Sequence, residues 1–212
     1  MSIGKSLCGM VLLGALPQLA VAQTAAPADP SPTPLAFARV TSAQPKLHFI
    51  SDATRPGCPS LAPDCQMKAY LVPGDVVSLA YPLDSAGGRD SQFILATYVG
   101  AHADTFGDLP ASGLEPFTPV ATAADFVGDW QADGNELVIT LANGALSLNG
   151  AAQVSTDNVT GALSLANGQA RFDDGTCQLL MARLGRELIV SENGQCYDND
   201  SALSGNYTRT GK

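Results

Sequence analysis

The chain has 212 residues, with 11 Lys+Arg against 20 Asp+Glu and a formal net charge of −9. That balance argues against nucleic acid and anionic membrane surfaces, which require positive patches. It favours solubility and a basic partner, and the length allows one large or two small domains.

The chain opens on a segment with the grammar of an export signal. Lys5 is the only charge before Asp29, an apolar run covers residues 7–16, and Ala20-Val21-Ala22 supplies an A-x-A site with cleavage expected after Ala22. Residues 1–22 are therefore expected to be removed, and Cys8 with them. The apolar run is too short for a stable bilayer span, and no later segment is long and apolar enough either. The expectation is an exported protein with no membrane span. Its expected destination is the periplasm, with the extracellular medium as the alternative.

Residues 23–36, rich in Ala, Pro, Ser and Thr, read as a flexible or polyproline-like tether. A first module spans 37–117, a short linker 118–124, and a second module 125–212. Neither module carries a sustained 3.6-residue apolar period. Short alternating runs broken by Gly, Pro, Asn and Asp predict an all-β protein.

Four cysteines remain after the signal, in two short-range pairs: Cys58 with Cys65 and Cys177 with Cys196. Three pairings are possible, and loop closure favours the local one. In the chain-entropy treatment the two bridges contribute about 2.5 and 3.3 kcal/mol. Zinc is a poor fit, since neither pair is C-x-x-C and His48 and His102 are the only histidines.

In the first module, residues 46–53, 69–81 and 93–100 are predicted strands. Pro73-Gly74-Asp75 punctuates the middle one, and residues 85–90 form a turn or exposed tip. The second module holds four Asn-Gly pairs, at 143–144, 149–150, 167–168 and 193–194, each a type I′ hairpin signal. Alternating apolar residues flank them: Leu137, Ile139 and Leu141, then Leu146 and Leu148, Leu163 and Leu165, Ala170 and Phe172. A longer hairpin follows around Gly185-Arg186, and residues 203–209 close the chain. This predicts six to eight antiparallel strands in sequence order, a meander closing into a barrel or sandwich.

Two resemblances sharpen this. The run from Ala69 through Tyr70, Pro73-Gly74-Asp75 and Val76, the strand at Gln92 to Tyr98, and the segment Gly107-Asp108-Leu109-Pro110 with Leu114 together resemble a bacterial SH3-like domain over residues 70–116. Asp108 stands where such domains usually carry an aromatic residue, and Phe93 where a tryptophan is common. The resemblance implies an SH3-like small barrel whose groove contacts would include Tyr70, Tyr98, Phe106, Asp108 and Pro110. The second module, from Phe126-Val127-Gly128-Asp129-Trp130 to Gly205-Asn206-Tyr207-Thr208-Arg209, resembles small β-barrel domains of exported bacterial proteins. Its G-x-W opening is also similar to lipocalin-like barrels.

The search for chemistry returns little. His102 lies two residues from Asp104, but no G-x-S-x-G context supplies an activated serine. The acidic pairs Asp173/Asp174, Asp104/Asp108 and Asp198/Asp200 fall in turn-like contexts, where Asp bonds backbone. Asp198-Asn199-Asp200 lacks the Gly and closing Glu of a calcium loop. Trp130, the only tryptophan, is expected to plug the barrel. Tyr197, with Asp198 and Asp200, sits on a loop anchored by Cys196 and is a candidate protein contact. No enzyme activity, metal or cofactor is expected. The leading expectation is an inhibitor or immunity protein that neutralises a basic, cell-envelope-acting toxin or hydrolase. The alternatives are a peptidoglycan- or peptide-binding module using the SH3-like groove, and a small-ligand carrier using the second barrel.

Overall fold

A computed structural model describes residues 31–41, 45–52, 54–85, 91–101, 103–153, 158–197 and 203–210. The expected signal and the first part of the tether, with His102, Asp198 and Asp200, lie outside the described residues. The protein is all-β, with a closed eight-stranded barrel and a separate seven-stranded antiparallel sheet. No helix among the described residues is long and apolar enough to cross a membrane.

The sheet uses β1 (Ala36–Val40), β2 (Leu47–Ile50), β3 (Gln66–Leu71), β4 (Val76–Leu79), β5 (Phe93–Tyr98), β6 (Thr105–Pro110) and β7 (Leu114–Pro116), in the order β3-β2-β6-β5-β4-β1-β7. Pro73-Gly74 ends β3, so the predicted strand over 69–81 is two strands joined by a turn. There Asp75 accepts the Val72 amide at 2.7 Å. Alternate residues face one core: Ala36, Ala38 and Val40 from β1, Leu47 and Phe49 from β2, Leu71, Val77, Ile94, Ala96 and Leu109. Both edges of the sheet contribute to that cluster, so the sheet curls around it.

The linker leads into a single helical turn, α1 (Ala123–Phe126), closed by a capping box between Thr122 and Asp125. The barrel follows: β8 (Gly128–Ala132), β9 (Asn135–Ala142), β10 (Ala145–Ala151), β11 (Asn158–Ala166), β12 (Gln169–Asp173), β13 (Gln178–Leu184), β14 (Glu187–Glu192) and β15 (Gly205–Arg209). Each strand pairs with the next, and β15 returns to β8 through Thr208↔Gln131 and Arg209↔Trp130. The meander is therefore a barrel and not a sandwich.

Two of the four Asn-Gly pairs make the expected two-residue turns, with φ of 52° and 81° at Asn143-Gly144 and 51° and 72° at Asn167-Gly168. Asn149-Gly150 instead lies inside β10, where ladder bonds to both neighbours hold it extended. Asn193-Gly194 opens the long connection from β14 to β15. Asp133-Gly134, with φ of 46° and 84°, provides a further turn of the same chemistry.

The barrel interior is filled. Trp130 and Tyr207 are fully buried with Phe126, Phe172, Leu179 and Met181. The Trp130 indole N–H donates to the Phe126 carbonyl at 2.9 Å. The Arg183 and Arg209 guanidiniums lie 4.6 and 4.9 Å from the Trp130 ring. Gly128 explains the G-x-W spacing: its φ is +146°, and a Cβ there would sit 2.8 Å from Arg209 Nε.

Strand β14 departs from simple alternation. Leu188 and Val190 face the barrel core, yet Glu187, Ile189 and Ser191, on the outer wall, are buried as well. The sheet covers them. Phe37 packs with Ala182, Leu184 and Ile189, flanked by Leu35, Val76, Val99 and Phe117, in a third apolar cluster that joins the two units.

Both disulfides have the local pairing, with Cα–Cα distances of 5.6 Å for Cys58–Cys65 and 4.3 Å for Cys177–Cys196. Two disulfides in a chain of this size are consistent with an oxidising, exported compartment.

Candidate functional site

Strands β2 and β6 share one register pair, Ile50↔Asp108. On one side of it a recess of about 650 Å³ is lined by Lys46, His48, Ile50, Leu61, Gln66, Pro110 and Ser112, among others. On the other a recess of about 290 Å³ is lined by Ile50, Asp52, Arg55, Met67, Phe106 and Asp108 with their neighbours. Ile50 is 2% exposed and forms part of both walls. The loop pinned by Cys58–Cys65 connects β2 to β3, and its Leu61 reaches the larger recess.

Large exposed apolar side chains gather on this face. Leu61 is 54% exposed, Met67 37%, Tyr70 44% and Phe106 63%. Lys46 Nζ sits 4.1 Å from the Tyr70 ring centroid, and the His48 and Tyr70 rings are 5.6 Å apart. His48 Nδ1 lies 2.9 Å from the Met67 carbonyl. A carbonyl only accepts, so this nitrogen carries the proton and Nε2 is left for other partners.

Charge divides the face. Among the described residues lining the larger recess, Lys46 and His48 are the ionisable side chains and none is a carboxylate. The smaller recess holds Asp52, Asp108 and Arg55. The Thr54 hydroxyl and then its amide, at 2.5 and 3.0 Å, hold the Asp52 carboxyl below its ordinary range. Burial and then the Asp52 charge push the Asp108 carboxyl up. The two recesses therefore present an apolar strip with a cationic end and an acidic end.

Of the sequence-predicted contacts, Phe106 and Asp108 line the smaller recess and Pro110 the larger, while Tyr70 lies beside Lys46 and His48 at the edge of the larger one. Tyr98 is not among them: it packs half-buried against the sheet core. Tyr197 belongs to the barrel, where it packs on the interior cluster and donates from its hydroxyl to the Gly150 carbonyl at 3.3 Å. Near it, the Asp174 carboxylate accepts the Thr176 and Cys177 amides at 2.9 and 2.8 Å, and Asp173 accepts the Gly175 amide at 3.0 Å. Those aspartates do the backbone work that their turn context predicted. Asp104 pairs with Arg186 at 2.9 Å across the seam between the units.

Sequence reasoning missed Lys46, Ile50, Leu61 and Met67 as recess-forming residues. Their grouping depends on the pairing of β2 with β3 and β6 and on the loop held by Cys58–Cys65, which no local pattern encodes. It missed the seam too, although the unbroken Leu188-Ile189-Val190 run carried a signal, since a strand buried on both faces loses its polar alternation. Among the described residues no group of three or more His, Cys, Asp or Glu could hold a metal ion. Comparison of this chain with known protein families, with characterised proteins and with solved structures found no match.

Proposed function

We propose that this chain is an exported, non-catalytic binding protein that holds a partner protein on the recessed face of its sheet, with the filled barrel as scaffold. The observation that carries this reading is the pairing of two recesses, about 650 and 290 Å³, with Leu61, Met67, Tyr70 and Phe106 exposed around them. Aromatic and methionine side chains at the rim of a concavity are the composition of a protein contact. We read the first unit as SH3-like, with Tyr70, Phe106, Asp108 and Pro110 in the groove.

The specific form of the proposal is an inhibitor or immunity protein for a basic toxin or hydrolase acting on the cell envelope. The export signal and the net charge of −9 support it, since an acidic binder steers a basic partner. The test is capture from a periplasmic extract by the tagged full chain. The captured protein is identified, and its hydrolytic activity is then titrated with purified chain. Expected is loss of activity near one equivalent; full activity at about tenfold excess over any captured protein overturns the inhibitor reading.

A second reading, binding of cell-wall peptide in the same groove, is favoured by the overlap of the larger recess with the SH3-like segment at Pro110. It predicts co-sedimentation with purified cell walls that Tyr70→Ala abolishes; a soluble chain in that assay removes it. The carrier reading is disfavoured by Trp130, Tyr207 and Phe172, which occupy the barrel interior.

A further inference from the structure

We propose that the seam between the sheet and the barrel is a pH-gated latch, in which a protonated Glu187 keeps the two units docked and its ionisation loosens them. The inference is independent of what the recessed face binds.

Glu187 begins β14 and points off the outer wall of the barrel beside Ile189, yet its side chain is 2% exposed. What covers it is the sheet unit. Arg186, on the adjoining turn, donates from Nε to the Gly100 carbonyl and from Nη2 to Asp104, each at 2.9 Å. The same Nη2 lies 3.6 Å from Glu187 Oε1. Two carboxyl groups thus share one guanidinium: Glu187 is buried, while the Arg186 and Asp104 side chains are 43% and 35% exposed. Among the described residues Glu187 Oε2 has no hydrogen-bond partner.

A proton on Glu187 resolves this arrangement. It turns one carboxylate into a donor for Asp104, leaves Arg186 to pair with Asp104, and removes a buried negative charge. Among the described residues, Asp104 and Arg186 are the charged groups facing Glu187, and its cross-strand neighbours Leu184 and Thr208 are uncharged. Burial first, then the hydrogen bond and charge of Asp104, offset in part by Arg186, push the Glu187 carboxyl from 4.5 to about 7.

The sign follows from proton linkage. When the units separate, Glu187 meets water and titrates in the ordinary carboxylate range. Between that range and about pH 7 the docked form holds a proton that the open form has lost. Docking is therefore strongest in acid, weakens as pH rises through this window, and is flat above it. The apolar contact of Phe37 with Ala182 and Ile189 is independent of pH, so the carboxyl modulates an interface that exists without it.

The test places a thiol in the seam of the full chain, Ala182→Cys, where the native side chain is fully buried. Its labelling rate is divided at each pH by that of the same thiol in an unfolded peptide, which leaves the opening constant. Expected is a rise of roughly a hundredfold between pH 5 and pH 8, absent in the Glu187→Gln background. Asp104→Asn, which removes the second carboxyl, reduces the rise. Because His102 lies two residues from Asp104 in the sequence, the series is repeated with His102→Asn, and the response is expected to persist. A pH-independent opening constant in the parent, an equal rise in Glu187→Gln, or loss of the response with His102→Asn overturns the proposal.

Discussion

The barrel and the sheet solve the same problem differently. Each is antiparallel, each carries one disulfide, and each has a single apolar core. The barrel pairs its last strand with its first and fills its interior with Trp130, Tyr207 and Phe172, so its polar backbone and its large side chains are both accounted for. The sheet closes imperfectly. Strand β2 shares one register pair with β6, Ile50↔Asp108, and recesses bordered by exposed apolar side chains lie beside it. Closure produces stability, and incomplete closure produces surface that another molecule can use. The proposed binding face is accordingly the sheet's.

That contrast can be broken experimentally, starting with the barrel plug. Trp130→Ala removes a fully buried side chain in contact with two guanidiniums. A loss of about 3–5 kcal/mol is expected in denaturant unfolding of the barrel. An unchanged midpoint would mean the interior is less tightly packed than its burial implies. The disulfides come next. Removing Cys177–Cys196 should cost about 3 kcal/mol and removing Cys58–Cys65 about 2.5, so reductant should lower the barrel transition more than the sheet transition. Equal thermal transitions with and without reductant would remove the bridges from the stability account.

Smaller effects address the boundary and the recess. Gly168 has φ +72°, and a Cβ there would lie 1.9 Å from the Pro119 carbonyl oxygen, because the linker runs against the β11–β12 turn. Gly168→Ala should cost about 1–2 kcal/mol, more than backbone strain alone, and a cost below about 0.5 would show that the linker moves aside freely. At the bottom of the scale, Tyr70→Ser with Phe106→Ser should leave unfolding within about 0.5 kcal/mol of the parent, since both side chains are largely exposed. The same pair should weaken partner or cell-wall binding by tenfold or more. A large stability loss with binding intact would reverse the assignment of binding to the sheet.

What could be read in the sequence was local. Strand alternation and the turns at Asn143-Gly144 and Asn167-Gly168 depend on a few adjacent residues, and the structure places those turns as written. Short-range cysteine pairing is local as well. Asn149-Gly150 shows the limit: the same dipeptide lies flat in a strand when ladder bonds on both sides outweigh its turn preference. Phe106, Asp108 and Pro110 were named from the sequence and line the recesses. Lys46, Leu61 and Met67 were not, because their neighbourhood comes from a disulfide-held loop and from strands far apart in the chain. Glu187 reads in sequence as an ordinary exposed hairpin acid, and only the docking of the other unit buries it.

The β15–β8 closure has a consequence in time. Thr208 bonds to Gln131 across 77 residues of chain, and Arg209 reaches the Val127 carbonyl and the Trp130 ring. The barrel therefore cannot seal around Trp130 until its final strand has been made and delivered. Contacts this distant in sequence slow folding. A chain made from its N-terminus presents Trp130 well before β15, the strand that covers it, exists.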